Sequence, residues 1–229
     1  AGEVVEIAQP GRVKVGDRVA VMPQYPCGTC TLCRSGEYIH CENVVNFTAF
    51  TGSDEGRATV AQYLLKQDWL LTPIPDDISY DHGAMACCGL GPTFGAFERM
   101  QVRGVDTILI TGLGPVGLGG VINAKHLGAT VIAVESHPYR VAKAKELGAD
   151  HLIDPRDEDA LKQIMDLTKG IGVDKAVDCS GAVPAHRLAI DALRRRGQLA
   201  FVGESGAETP LVISRDMIRK GIDLKGNWH

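Results

Sequence analysis

"ILITGLGPVGLGGV" (residues 108–121) runs a β-branched apolar stretch directly into three glycines, Gly112, Gly114 and Gly117, in the order G-x-G-x-x-G. The spacing alone is a weak signal, and a glycine-rich turn that binds nothing is its ordinary alternative. Its surroundings strengthen it. A strand precedes the turn, and Pro115 opens the following helix at an early position where its missing N–H costs nothing. The next apolar run, "TVIAVE" (130–135), ends in an acid, Glu135. Gly112 permits the tight turn, Gly114 lets the backbone approach a pyrophosphate, and Gly117 allows close helix–strand packing.

This arrangement predicts a dinucleotide site formed by Gly112, Leu113, Gly114, Pro115, Val116, Gly117 and Glu135. N–H groups at the start of the helix would hold the diphosphate. Glu135 is placed to accept hydrogen bonds from both hydroxyls of the adenosine ribose and to repel a phosphate there, which favours NAD over NADP. Arg140, five residues on, is open to several readings, as a contact for a 2′-phosphate or, more ordinarily, as a solvated helix charge or a cover for the adenine ring.

Working outward, apolar β-branched runs alternate with helix-length segments from Asp106 to the end, the pattern of a parallel sheet with helices on both faces. The runs are "DTILIT" (106–111), "TVIAVE", "HLID" (151–154), "VDKAVDCSG" (173–181), "GQLAFVG" (197–203) and "IDLKG" (222–226). Six strands complete a doubly wound α/β sheet. Helices are predicted near 115–127, 138–147, 157–169, 183–195 and 214–220, two of them stopped by Gly128 and Gly148. "RRRG" (194–197) is read as the basic last turn of a helix with its glycine stop. Cys179, Ser180, Val202 and Gly203 fall at strand carboxyl ends, the edge where such sheets bind ligands, and are further candidate coenzyme contacts, ordinary strand-end turns being the alternative.

Before residue 90 the apolar runs are shorter and broken by Gly, Pro and charge: "GEVVEI", "GDRVAVM", "ATVAQYLL" and "WLLTPIP" read as short strands. Among them "CGTCTLCRSGEYIHC" holds four of the chain's seven cysteines, Cys27, Cys30, Cys33 and Cys41, spaced C-x2-C-x2-C-x7-C. Four thiolates fill a closed tetrahedral zinc site without leaving a catalytic position open. An iron–sulfur cluster is the rival, but its x3-C-P element is absent and Glu42 follows Cys41. Metal-free thiols would leave a loop with little core, whereas metal binding is itself folding free energy. His40 is an additional candidate ligand, more ordinarily a solvated neighbour.

A formal net charge of −4 with no basic stripe argues against nucleic acid and anionic lipid, and no apolar run is long enough to span a bilayer. The expected setting is the cytoplasm, where clustered cysteines favour metal over disulfides. The chain starts at Ala1 in a strand-like alternation, and a fragment is expected.

Taken together, the four-cysteine loop and G-L-G-P-V-G in a six-strand sheet resemble the zinc-containing medium-chain alcohol and polyol dehydrogenases along essentially the whole chain. The resemblance implies a partial, β-rich GroES-like catalytic domain at 1–92, with a structural-zinc lobe at 23–47, and a Rossmann dinucleotide-binding domain at 93–229. It implies an NAD-dependent oxidoreductase acting on the CH–OH group of a small alcohol or polyol, a dimer or tetramer, and truncation at both ends. It also implies a second, catalytic zinc whose Cys and His ligands and proton relay lie upstream of Ala1. "MACCGLGPTFGAF" then places Cys88 as the third ligand, with Cys87 the runner-up and a small buried residue the alternative. The expected readings are a dehydrogenase, an NAD- and zinc-binding fragment without turnover, or an iron–sulfur electron-transfer module.

Overall fold

The computed structural model describes residues 1–57 and 60–228. The chain forms two compact units, Ala1–Cys87 and Cys88–His229.

In the first unit β1 (Gly2–Glu3), β2 (Arg18–Val21) and β3 (Leu71–Pro73) form an antiparallel sheet in that order, with Val19 opposite Pro73. Val4, Val13 and Val19 bury the small core beneath it. The strand expected at "ATVAQYLL" is a correction: residues 58 and 59 lie outside the described residues, and 60–65 form no strand. Val60, Tyr63 and Leu65 are exposed, so no buried face rewards pairing there. Short helices α1 (Thr31–Arg34), α2 (Phe47–Thr51) and α3 (Tyr80–Met85) complete the unit, with 3-10 turns at Tyr38–His40 and Asp68–Leu70. A π-helical segment, Ala86–Leu90, follows.

The second unit begins with α4 (Gly91–Met100) and then alternates: β4 (Thr107–Thr111), α5 (Pro115–His126), β5 (Thr130–Val134), α6 (Pro138–Glu146), β6 (His151–Ile153), α7 (Ala160–Leu167), β7 (Val173–Asp178), α8 (Val183–Ala192), β8 (Leu193–Phe201) and β9 (Asp223–Gly226). All adjacent pairs are parallel, in the order β6-β5-β4-β7-β8-β9. The order reverses between β4 and β7, which places the ligand crevice at their carboxyl ends. Strand periodicity builds the two layers. Ile108, Ile110, Val131 and Ala133 join one core with α5, while Leu109, Ile132 and Val134 join the other with Ile164 of α7 and Ile190 of α8.

The "RRRG" reading is overturned. Helix α8 stops at Ala192, Leu193 is extended and buried, and Arg194–Gly197 bulge within β8. Arg194 Nε donates to Asp174 Oδ1 at 2.6 Å, and Arg196, at φ +62°, donates its N–H to Lys220 O. The cation at the end of α8 comes from elsewhere: Lys220 Nζ donates to the carbonyls of Ile190 and Asp191. The last expected helix is a π-helical turn, Ile213–Ile218.

Candidate coenzyme and metal sites

At the crevice, β4 passes into α5 through Gly112, whose φ is +80° and whose hypothetical Cβ would fall 2.6 Å from Ser180 Cβ. A Cβ on Gly117 would fall on the Gly112 carbonyl at 1.9 Å, so α5 starts as close to β4 as backbone allows. In front of Gly114 the space is open, with nothing within 4 Å of where a Cβ would stand. The first intrahelical bond is Leu118 N to Gly114 O. The preceding N–H groups of Gly114, Val116 and Gly117 are the donors a helix start leaves over.

Glu135 braces this turn. Its Oε2 accepts from Leu113 N at 3.0 Å, and its Oε1 accepts from Ser136 N and His137 N. Burial alone would raise its pKa. The N–H groups of His137, Leu113 and Ser136 and the Arg140 guanidinium outweigh that and hold the carboxyl below its usual range. Arg140 Nη1 lies 3.4 Å from Oε2 with its side chain half exposed. Charge beside the glycine turn is therefore the Glu135 carboxylate with Arg140 next to it, and the carboxylate is already engaged by backbone.

The structure brings Gly112, Cys179, Ser180, Val202 and Gly203 to one edge. Cys179 N donates to Thr111 O, and Val202 and Gly203 both donate to Asp178 O. Burial, then the adjacent Asp178 carboxylate, pushes the Cys179 thiol well above its ordinary value. Two residues at this edge escape sequence reasoning. Gly119 is one: a Cβ there would meet Gly89 O at 2.1 Å, so α5 packs directly on the segment carrying Cys88. The extra glycine pair in "GLGG" was its only signal. The other is Asp178, a wholly buried acid inside the apolar run "KAVDCSG". Cys88 itself is exposed in the π-helical segment, and Cys87, half-buried, directs its Sγ toward Val21 O.

In the first unit, Cys30 caps the N-terminus of α1, its Sγ accepting from Cys33 N. Cys27 N and Asn43 N donate to Cys41 Sγ. The Thr29 hydroxyl, then the N–H groups of Thr29 and Cys30, lower the Cys27 thiol to about 6, while burial pushes Cys33 up to about 12. Ligand atoms of Cys27, Cys30, Cys33 and Cys41 all lie within 4.8 Å of one another, and the Cys27 and Cys33 sulfurs are 4.0 Å apart. Tetrahedral Zn–S bonds of about 2.3 Å place sulfurs roughly 3.8 Å apart, so the set fits zinc. Among the described residues no other group of three or more metal-binding side chains forms.

Residues 115–229 match the family model described as zinc-binding dehydrogenase. The chain belongs to that family. Residues 1–76 of this family member match the alcohol dehydrogenase GroES-like domain. It is 34% identical to D-arabitol-phosphate dehydrogenase of Enterococcus avium over 99% of its own length and 64% of that protein's. It is 38% identical to a sorbitol dehydrogenase of Bacillus subtilis strain 168, covering 92% of itself and 59% of the relative. Among solved structures, AibC superimposes with a TM-score of 0.87 at 33% identity, over 99% of this chain and 63% of that one. An NAD-dependent alcohol dehydrogenase gives 0.87 at 26% identity, over 99% and 65%. The chain thus spans about three-fifths of the length of these relatives.

Proposed function

We propose that this chain is the larger part of an NAD-dependent zinc dehydrogenase that transfers hydride between a primary or secondary alcohol, or a polyol, and the coenzyme. The observation that carries this reading is the open amide cradle at Gly114, braced by Glu135, at the reversal point of the sheet. Relatives named for arabitol phosphate and sorbitol support the polyol class.

When bound, NAD supplies the hydride acceptor and a catalytic zinc the Lewis acid that polarises the alcohol oxygen. Residues of this chain bind and orient. Gly114, Val116 and Gly117 offer N–H groups to the diphosphate, Leu113 and Pro115 shape the turn, and Glu135 faces the adenosine ribose with Arg140 beside it. Cys179, Ser180, Val202 and Gly203 border the far end of the coenzyme. Cys88 is the proposed catalytic-zinc ligand, and Cys27, Cys30, Cys33 and Cys41 hold the structural zinc. In this reading residues 1–92 are the partial GroES-like domain, with its lobe at 23–47, and 93–229 the dinucleotide-binding domain. Edge strand β9 offers a free strand side for pairing into a homodimer or homotetramer. No nucleic-acid or membrane partner is invoked, and no helix among the described residues is long and apolar enough to cross a membrane. The cytoplasm is the proposed location.

Titrating the purified chain with NADH and NADPH, followed by nicotinamide fluorescence alongside a zinc count, tests the reading. NADH is expected to bind at least tenfold tighter than NADPH, a difference of about 1.4 kcal/mol, with zinc retained by the four cysteines. Absence of binding to either coenzyme overturns it. Binding without alcohol-dependent NADH formation favours the second reading, an NAD- and zinc-binding segment that Cys88, in no metal-binding group of three or more among the described residues, does not by itself make catalytic.

A further inference from the structure

The buried Asp178 ends β7, and the coenzyme reading leaves its side chain without a task. Its Oδ1 accepts from the Thr111 hydroxyl at 2.7 Å and the Ser180 hydroxyl at 2.6 Å. Its Oδ2 accepts from Gly181 N at 2.9 Å and His186 Nε2 at 3.1 Å. A carboxylate so enclosed is tolerable because both oxygens are satisfied. His186, 5% exposed on α8, stands edge-on to Phe201, and its Nδ1 lies 2.6 Å from the Thr209 hydroxyl. One imidazole ring therefore meets Asp178 through Nε2 and Thr209 through Nδ1. The Thr209 hydroxyl can donate or accept, so it can pair with Nδ1 in either role.

The chain from Glu204 to Glu208 is exposed and forms no helix or strand. It leaves β8 at Gly203, where a Cβ would stand 2.4 Å from Gly181 N, and Gly181 in turn approaches the Glu204 carbonyl. Two strand-end segments, 180–181 and 203–209, are thereby pinned side by side, one end by backbone contact and the other through Asp178, His186 and Thr209. In the strand order, Glu135 belongs to the β5 side of the glycine turn and these segments to the β7 and β8 side. A dinucleotide whose adenosine meets Glu135 and whose diphosphate meets Gly114 must extend its other half over them.

We infer that His186 is a positioning residue for the nicotinamide half of the coenzyme, bridging Asp178 to Thr209 so that segment 203–209 is held against the Ser180–Gly181 turn. The inference rests on the dinucleotide reading above and adds to it residues that do not touch the coenzyme. The experiment compares NADH with ADP-ribose, which lacks the nicotinamide, on the full chain. His186→Leu is expected to weaken NADH about tenfold while ADP-ribose stays within about twofold, as loss of a buried hydrogen bond implies. His186→Gln, which keeps a donor toward Asp178 but lacks the second ring nitrogen, should fall between. Thr209→Val, at a half-buried position, should reproduce the selective loss at about threefold and carries the test alone where His186→Leu does not fold. Equal weakening of both ligands, or none, in a chain that binds NADH overturns the role of His186. A wild-type chain that binds neither ligand overturns the dinucleotide reading and this inference with it.

Discussion

Between Tyr25 and Phe47 the buried apolar side chains are Tyr25, Pro26, Cys33 and Phe47, whereas in the six-stranded sheet Ile108, Leu109, Ile110, Val131 and Ala133 are each fully buried. The sheet draws its order from apolar area removed from water on both faces. The lobe has too little such area for a loop that long, and its organisation lies in N–H groups aimed at the sulfurs of Cys27, Cys30 and Cys41. Two neighbouring stretches of one chain thus use different sources of stability, and each should fail under a different insult.

Removing the metal is the sharpest way to test that contrast, and should have the largest effect. A chelator, or Cys33→Ser, is expected to abolish amide-exchange protection across 27–41 and expose the lobe to protease while β4, β5 and β7 stay protected, because metal binding supplies the lobe's folding free energy. Acid should act in the same direction. Bound thiolates must be deprotonated, and with the Cys27 thiol near 6 and Cys33 driven up to about 12, protons compete for the site as pH falls. Zinc retention measured from pH 7 downward should decline. A lobe that stays protected after complete metal loss would break the comparison.

Next in size is Leu109→Ala. Leu109 is fully buried in the core shared with α7 and α8, and its truncation should cost about 2–5 kcal/mol in denaturant unfolding of the second unit. Zinc content should not change. Release of zinc in this variant would show that the two regions melt as one.

Smallest is the brace at Glu135. Glu135→Gln keeps the shape but weakens three charge-assisted hydrogen bonds, so NADH affinity should fall about tenfold with little change in unfolding. The pH dependence has a defined sign. With its pKa depressed in the folded chain, the carboxylate's contribution is complete above the ordinary glutamate value of about 4.3 and is lost as pH falls through the lower folded value. NADH affinity that holds steady under such acidification, in protein still folded by circular dichroism, would refute the brace.

Much of this was legible in residue order. Glycine spacing, Pro115 and the acid ending "TVIAVE" identify the turn because backbone approach and helix starts demand those residue types locally. Cysteine spacing does the same for the metal site, since a tetrahedral ion accepts few loop lengths. "RRRG" misled because helix-end chemistry can be supplied from a distance, here by Lys220. "ATVAQYLL" misled because strand propensity means little without a partner and a buried face.

Local sequence therefore determined the alternation of strands and helices from β4 to β7, the glycine turn with its acid, and the four cysteines that converge, all properties of residues close together in the chain. Only the tertiary structure decided which strands lie side by side, that Gly119 meets Gly89, and that Asp178, His186 and Thr209 form one buried chain of hydrogen bonds. Those contacts join residues far apart in sequence, and whether a polar side chain is satisfied depends on what folding brings to it.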